Sequence, residues 1–423
     1  MRIALRMPGH FDQLPRNTRI TLLAQPLWSV PAGLVMSFAS LYMMNLGLSS
    51  QQIGLISSVS SLIKLVVAVF TSWIIDRLGR KHAQLIFDIV SWLIPYFLWA
   101  TATTFDGFFL AGVFNGFVII NSVAYECFHV EDVPLSLRMV TQRFKLVSEY
   151  TYGFMPLIMG FLISRYTLVP AMRGCYWFGF VCCVFFVLSK AIFLTDTSVG
   201  IQRRREQKSV PFSFSAAMRG NLEVLRYIAG QKELAVLYTL HTMIMMARAI
   251  NTLYFLPFLS QALLLSESLI SWVPILTTLV SLLVTYLVIP RLGSRRHSAL
   301  LAIALWALAA GGLLISFSGA AFALPMAAVN VLLWGFANAC TGTILQVRIH
   351  AIIRSDIRSG VMSAFQLLSM LIMLPAGLLG GILYAHKAAF AVLLPAAIFL
   401  SAAVLYLGKI RKGWFRWSAE EMV

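Results

Sequence analysis

The chain has 423 residues, of which 59% are apolar and only 12% charged, and its mean hydropathy is +0.83. Soluble domains average about 25% charged residues, so this inventory cannot cover a water-exposed globule. The formal charge of +17 would suit a nucleic-acid binder, but the placement of the basic residues excludes that reading.

A helix of about 20 apolar residues crosses the ~30 Å hydrocarbon core of a bilayer. Twelve stretches satisfy this, at roughly 20–46, 52–75, 83–103, 107–129, 140–163, 171–193, 233–259, 267–289, 298–318, 321–346, 360–384 and 388–408. With the N-terminus inside, the inner segments hold 26 Lys and Arg and the outer loops only three, Arg165, Arg173 and Lys387. Short loops rich in Lys and Arg stay cytoplasmic, so both termini are expected inside and the basic balance becomes a topology signal. The first apolar stretch is too long for a cleaved leader and reads as the first span. Cys127, Cys175, Cys182, Cys183 and Cys340 all fall within apolar spans, with neither a disulfide framework nor metal-ligand spacing.

An internal repeat divides the chain. Leu55-Ile56-Ser57-Ser58-Val59 matches Leu269-Ile270-Ser271-Trp272-Val273, and the same offset places Arg77-Leu78-Gly79 on Arg291-Leu292-Gly293. Weaker echoes pair Asn115-Gly116-Phe117 with Trp334-Gly335-Phe336, and Phe144–Ser148 with Phe365–Ser369. The pattern predicts an all-α integral membrane protein of two parallel six-helix bundles. One would cover residues 1–194 and the other 232–423, joined by a cytoplasmic linker at 195–231. Within the linker Met218, Leu222, Leu225 and Ile228 recur at helical spacing, as in an amphipathic helix lying on the inner leaflet.

After the second span stands Asp76-Arg77-Leu78-Gly79-Arg80-Lys81. This turn resembles the signature loop of the major facilitator superfamily, and the resemblance extends over twelve spans, a six-plus-six repeat and a long central loop. Two positions depart from it: Ser72 replaces a common glycine, and Pro290 replaces the acid in the second half. The resemblance implies a conformational latch formed by Asp76, Arg77, Gly79, Arg80 and Lys81. Asp76 would face the start of the eleventh span near Ser359 and Gly360, and the basic residues would reach Glu131, Asp132 or lipid phosphates. It also implies that spans 1, 4, 7 and 10 line a central cavity and that spans 2, 5, 8 and 11 flank it.

An ionised group deep in a bilayer costs about 2.5–3.5 kcal/mol on insertion scales and needs a reason. Lys64, Arg248, Lys145, Glu149 and Glu126 occupy spans assigned to the lining or flanking sets, whereas Asp88 and Lys190 lie near the ends of outer spans. Lys145 and Glu149, four residues apart, share a helical face. Glu149 and Glu126 are candidates for proton coupling, with Glu149 also a structural partner for Lys145. Lys64 and Arg248 together point to a substrate that carries a negative charge, and Lys145 is a further substrate-binding candidate. Asn115 and Ser122 continue the face of Glu126, and His241 that of Arg248; Asn338 lies on the tenth span.

The expected function is that of a secondary transporter moving a small organic solute by alternating access. Protons are the default coupling ion in the absence of a Gly-x-x-x-x-Gly-Lys-Ser/Thr loop, and export is slightly favoured because Gly153, Pro156 and Gly160 on the fifth span loosely resemble the Gly-Pro motif of proton-antiporting exporters, without its full glycine pattern. A non-transporting sensor and a lipid flippase are the alternatives; an enzyme is not expected. The partners expected are a small molecule, protons and the lipid bilayer of a bacterial inner membrane, with no cofactor, metal or nucleic acid, and the chain acting as a monomer.

Overall fold

A computed structural model describes residues 11–207, 226–292, 294–353 and 358–411; within 135–149, 294–296 and 350–368, and at 207, 320 and 411, a number of side chains lie outside that description. Among the described residues the secondary structure is entirely helical. Eleven helices are long and apolar enough to cross a membrane, and the 32-residue helix Leu135–Tyr166 stands fifth in chain order. We number the twelve spans along the chain. They are Arg16–Asn45, Ser50–Leu78, Arg80–Thr101, Phe105–Val130, Leu135–Tyr166, Leu168–Phe193, Lys232–Ala262, Glu267–Arg291, Ser294–Ser316, Ala323–Ile352, Arg358–His386 and Ala388–Arg411. A linker helix, Ser198–Gln207, follows span 6.

Two compact units emerge. The first comprises residues 1–42 and 59–214; the second comprises 43–58 and 215–423. The opening turns of span 2 group with the second unit, although they belong to the N-terminal half of the chain.

Several spans are interrupted at identifiable residues. Span 1 tightens into a 3₁₀ turn at Met36–Phe38, downstream of Pro31. Span 4 breaks at Gly116 and Phe117. Spans 3, 7, 8 and 10 carry π-helical turns at Ile89–Leu93, Phe258–Ala262, Val284–Val288 and Thr341–Leu345. Such turns insert one residue and rephase the faces on either side.

Lipid is as apolar as the helices, so close packing and hydrogen bonds hold a bundle together rather than a hydrophobic drive. In the first unit an aromatic cluster joins Tyr42, Phe108, Tyr176, Tyr96 and Trp99, with ring centroids 5.5–6.3 Å apart. In the second, small residues let helices approach: Ala302, Ala304, Ala309, Ala337, Ala339, Ala402 and Ala403 are buried in one core, and a Cβ added to Gly312 would sit 2.8 Å from that of Ala396.

The repeat has a steric meaning. A Cβ on Gly116 would lie 2.6 Å from Cβ of Ile63, and one on Gly335 would lie 2.7 Å from Cβ of Val280. Each glycine thus lets one helix press on another, span 4 on span 2 in the first unit and span 10 on span 8 in the second. The pairing of Asn115-Gly116-Phe117 with Trp334-Gly335-Phe336 marks the same joint in both halves.

Within the second unit the start of span 2 packs on span 11. A Cβ on Gly54 would collide with the Gly377 carbonyl oxygen. Ser50 Oγ donates to the Gly381 carbonyl at 3.0 Å, and the Tyr254 hydroxyl reaches the carbonyls of Ser50 and Gly377 at 3.1 and 2.9 Å.

The Arg80 network and the membrane-embedded charges

At the basic end of the first unit, Gly79 adopts φ +84°, ψ 158° between spans 2 and 3. That turn aims the start of span 3 at Asp196, whose Oδ1 accepts the backbone amides of Arg80 at 2.7 Å and Lys81 at 3.2 Å. A carboxylate from a residue 116 positions away thus caps the helix and meets its positive end. Arg80, 5% exposed, bridges two acids. Nη1 donates to Asp76 at 2.5 Å; Nε and Nη2 donate to Glu131 Oε1 at 3.0 and 2.8 Å. Thr197 donates to the other Glu131 oxygen, and Asp132 accepts the Ser198 hydroxyl at 2.5 Å.

The three basic residues of the loop therefore do different things. Arg80 alone reaches Glu131. Arg77 instead lies over the Trp73 ring at 5.3 Å, and Lys81 Nζ donates to the Ala191 carbonyl at 2.9 Å. Their geometry explains the split, because Arg77 still belongs to span 2 and points away from the turn that buries Arg80. The expected contact of Asp76 with Ser359 and Gly360 involves positions whose side chains lie outside the described residues, as do Met218, Leu222 and Leu225 of the linker stripe. Ile228 is buried in the core of the second unit.

The segment after span 6 is fastened to the first unit. Besides the Asp196 cap, the backbone amide and hydroxyl of Thr195 both donate to Asn17 Oδ1 at 3.0 Å. Sequence reasoning missed these anchors; the run Thr195-Asp196-Thr197-Ser198, four good helix-capping residues in succession, was the available signal.

Asp88 and Lys190 form an ion pair at 2.8 Å with side chains 0% and 1% exposed. Asn121 donates to Asp88 at 2.7 Å, and the ammonium sits 3.5 Å above the Phe186 ring. Each ion thus has an opposite charge and a further polar or aromatic partner, the condition under which buried charges are tolerated.

Deeper groups sort into paired and unpaired charges. Lys145 Nζ binds Glu126 at 2.5 Å and lies 5.6 Å from the Tyr125 ring centroid. A cross-helix acid thus holds Lys145, which is not an uncompensated cation. The Glu149 side chain lies outside the described residues. Lys64, half-buried in span 2, has no hydrogen-bond or ion-pair partner among the described residues.

Asn115 does not continue the face of Ser122 and Glu126, which stay four apart on one helix. The break at Gly116 turns Asn115 towards span 3, where Nδ2 donates to the Ser91 carbonyl at 3.0 Å, while Ser122 is exposed and bonds back to Val118.

In the second unit spans 7 and 10 share a polar seam. Arg248 Nη2 donates to Thr341 Oγ1 at 2.6 Å, and its Nε is buried without a partner. Seven residues back along span 7, His241 Nδ1 lies 3.3 Å from Gln346 Nε2. Asn338 Oδ1 is buried and unpartnered one turn from Thr341. Five residues of regular helix would set Thr341 and Gln346 about 140° apart. The π turn Thr341–Leu345 supplies the extra residue that returns both to span 7. Glu233, a half-buried acid of this unit, is already bound by the buried Arg348 at 2.7 Å.

A family model described as Major Facilitator Superfamily matches residues 27–249. No curated protein matches the chain in sequence. Among solved structures, the nucleoside transporter NupG is similar at 14% identity and TM-score 0.71, with 94% of this chain and 100% of that chain covered. The human organic anion transporter MFSD10 (TETRAN) is similar at 19% identity and TM-score 0.62, covering 92% and 99%. A mutant of the peptide transporter POT in complex with alafosfalin is similar at 12% identity and TM-score 0.69, covering 97% and 99%. At these identities the likeness is one of fold.

Proposed function

The chain belongs to the Major Facilitator Superfamily of membrane transporters, and we propose that it moves a small organic anion across the bilayer by alternating access. The observation that carries the anion is the state of Arg248, a cation in a membrane-spanning helix whose only hydrogen-bond partner among the described residues is a neutral hydroxyl and whose Nε is buried and open. A guanidinium presents a planar fork of donors suited to a carboxylate or phosphate. Lys64, equally without an acid partner among the described residues, supports the same reading from the first unit. The structural neighbours are transporters of nucleosides, peptides and organic anions, so fold does not select among them; the anion reading rests on the two cations without an acid partner among the described residues.

Coupling to protons is assigned to Glu126 and Lys145. Protonating Glu126 removes the charge that holds Lys145 at 2.5 Å and frees an ammonium on span 5. Glu149 stands one helical turn further along the same span as a second acid. The Asp76–Arg80–Glu131 triad acts as the latch, with Asp196 fixing the helix start from which Arg80 projects. Export is the expected direction, on the Gly153, Pro156 and Gly160 pattern of span 5.

The test is counterflow in proteoliposomes against a panel of carboxylates, phosphate esters and neutral analogues of matched size. Arg248→Ala is expected to raise KM for anions at least tenfold and to leave any neutral analogue unaffected. Equal loss for charged and neutral solutes, or no loss at all, would remove the anion. Repeating the flux with and without an imposed pH gradient, in Glu126→Gln and in wild type, tests the coupling: wild-type flux indifferent to the gradient would reject it.

A further inference from the structure

We propose that a cavity between the start of span 3 and the linker helix binds a phosphate-bearing anion. Lys81, His82, Asp196, Ile201, Arg204 and Arg205 line a space of about 470 Å³, within the range of small-ligand sites. All six residues belong to the first unit, so the cavity is distinct from the seam of spans 7 and 10.

The charges facing it are uncompensated. Arg204 and Arg205 have no hydrogen-bond or ion-pair partner among the described residues, whereas the neighbouring Arg203 lies 3.9 Å from Glu206. Lys81 is held by its bond to the Ala191 carbonyl, which leaves two of its three N–H donors available. The single acid of the lining, Asp196, is committed: its Oδ1 takes two amides at the start of span 3, so its charge is met by the helix end rather than by the lining cations. Two guanidinium forks and an ammonium around one polar space match the several oxygens of a phosphate better than they match a single carboxylate. Ile201 supplies an apolar wall.

The linker helix leaves span 6 where the basic loops gather, at the level of lipid headgroups in the topology expected from the charge distribution. The phosphate can therefore come from an anionic lipid or from a soluble phosphate compound. In either case the bound group would tie the linker helix to span 3 beside the Arg80 network.

Purified full-length protein in nanodiscs separates these sources. In the lipid arm, retention of phosphatidylglycerol over phosphatidylcholine is measured by native mass spectrometry. In the soluble arm, inorganic phosphate is titrated calorimetrically into phosphatidylcholine nanodiscs. Arg204→Gln/Arg205→Gln is expected to weaken binding in one arm by about fivefold for each charge removed, while Arg203→Gln leaves it unchanged. The arm that responds identifies the source. Identical behaviour of wild type and double variant in both arms overturns the site, as does an equal loss in Arg203→Gln, which would show general surface attraction.

Discussion

Gly79 meets two constraints at once. Its φ of +84° and ψ of 158° lie in a region that side chains essentially never occupy, and a Cβ there would collide with Asp196 Oδ2. Gly79→Ala should therefore cost about 1–3 kcal/mol in backbone strain alone and displace the carboxylate that caps span 3. The expected outcome is a lower unfolding temperature in detergent together with loss of transport; a variant with wild-type melting and flux would show that the turn is not a constraint. Asp88 and Lys190 give a sharper contrast. Removing one partner of a buried ion pair strands the other and typically costs about 3–5 kcal/mol, whereas replacing both with apolar residues is often neutral. Lys190→Met alone should reduce the yield of folded protein severely, and Asp88→Leu/Lys190→Met should restore much of it, read by monodisperse recovery on gel filtration. A double variant no better than the single one would contradict a purely structural pair. Neither feature was legible in full from the sequence. Gly79 stood out by its loop, but Asp196 contributes from 116 residues away, and Lys190 meets Asp88 across 102; composition and spacing carry no record of such partners.

At the scale of helices, the joints at Gly116 and Gly335 matter most. Gly116 presses on Ile63, the residue before Lys64, so the position of this unpaired cation depends on how closely spans 2 and 4 approach. Gly116→Val would force the two helices apart, and overpacking of this kind costs about 1–3 kcal/mol. We expect it to abolish transport while the protein still inserts and purifies, and Gly335→Val to do the same through span 8 at Val280. Full transport by Gly116→Val would show that span 2 tolerates displacement at Lys64. The repeat made these positions visible in advance, because the same tripeptide pattern recurs in each half. The seam of spans 7 and 10 was less legible. His241 and Arg248 are seven apart and fall on one face by counting, but Thr341 and Gln346 would have been assigned to different faces of a regular helix. Only the π turn reconciles them, and no residue in Thr341–Leu345 announces it. Span 4 shows the reverse: counting through Gly116 placed Asn115 with Ser122, and the break at that glycine separates them.

For the whole molecule, charge asymmetry decides orientation. An even number of spans would return the chain to its starting side, so both termini and the linker helix are expected to share a face. Lys and Arg in short loops are retained on the cytoplasmic side during insertion, and in the expected topology 26 fall on one side against three on the other. The excess is distributed over every inner loop rather than concentrated in one, so no single substitution should invert the protein. Orientation can be read by replacing the five native cysteines, which the structure shows as free thiols, and introducing one reporter at a time. Gln207→Cys, at the end of the linker helix, should be labelled by a membrane-impermeant maleimide only in inside-out vesicles. Ala385→Cys, exposed before the short turn that carries Lys387, should be labelled only in right-side-out vesicles. Labelling of both from the same side would break the even-span topology. Labelling of each from the opposite side to the one expected would leave the fold intact but invert it, placing the Arg80 network and the phosphate cavity on the outer face and excluding a cytoplasmic ligand for them.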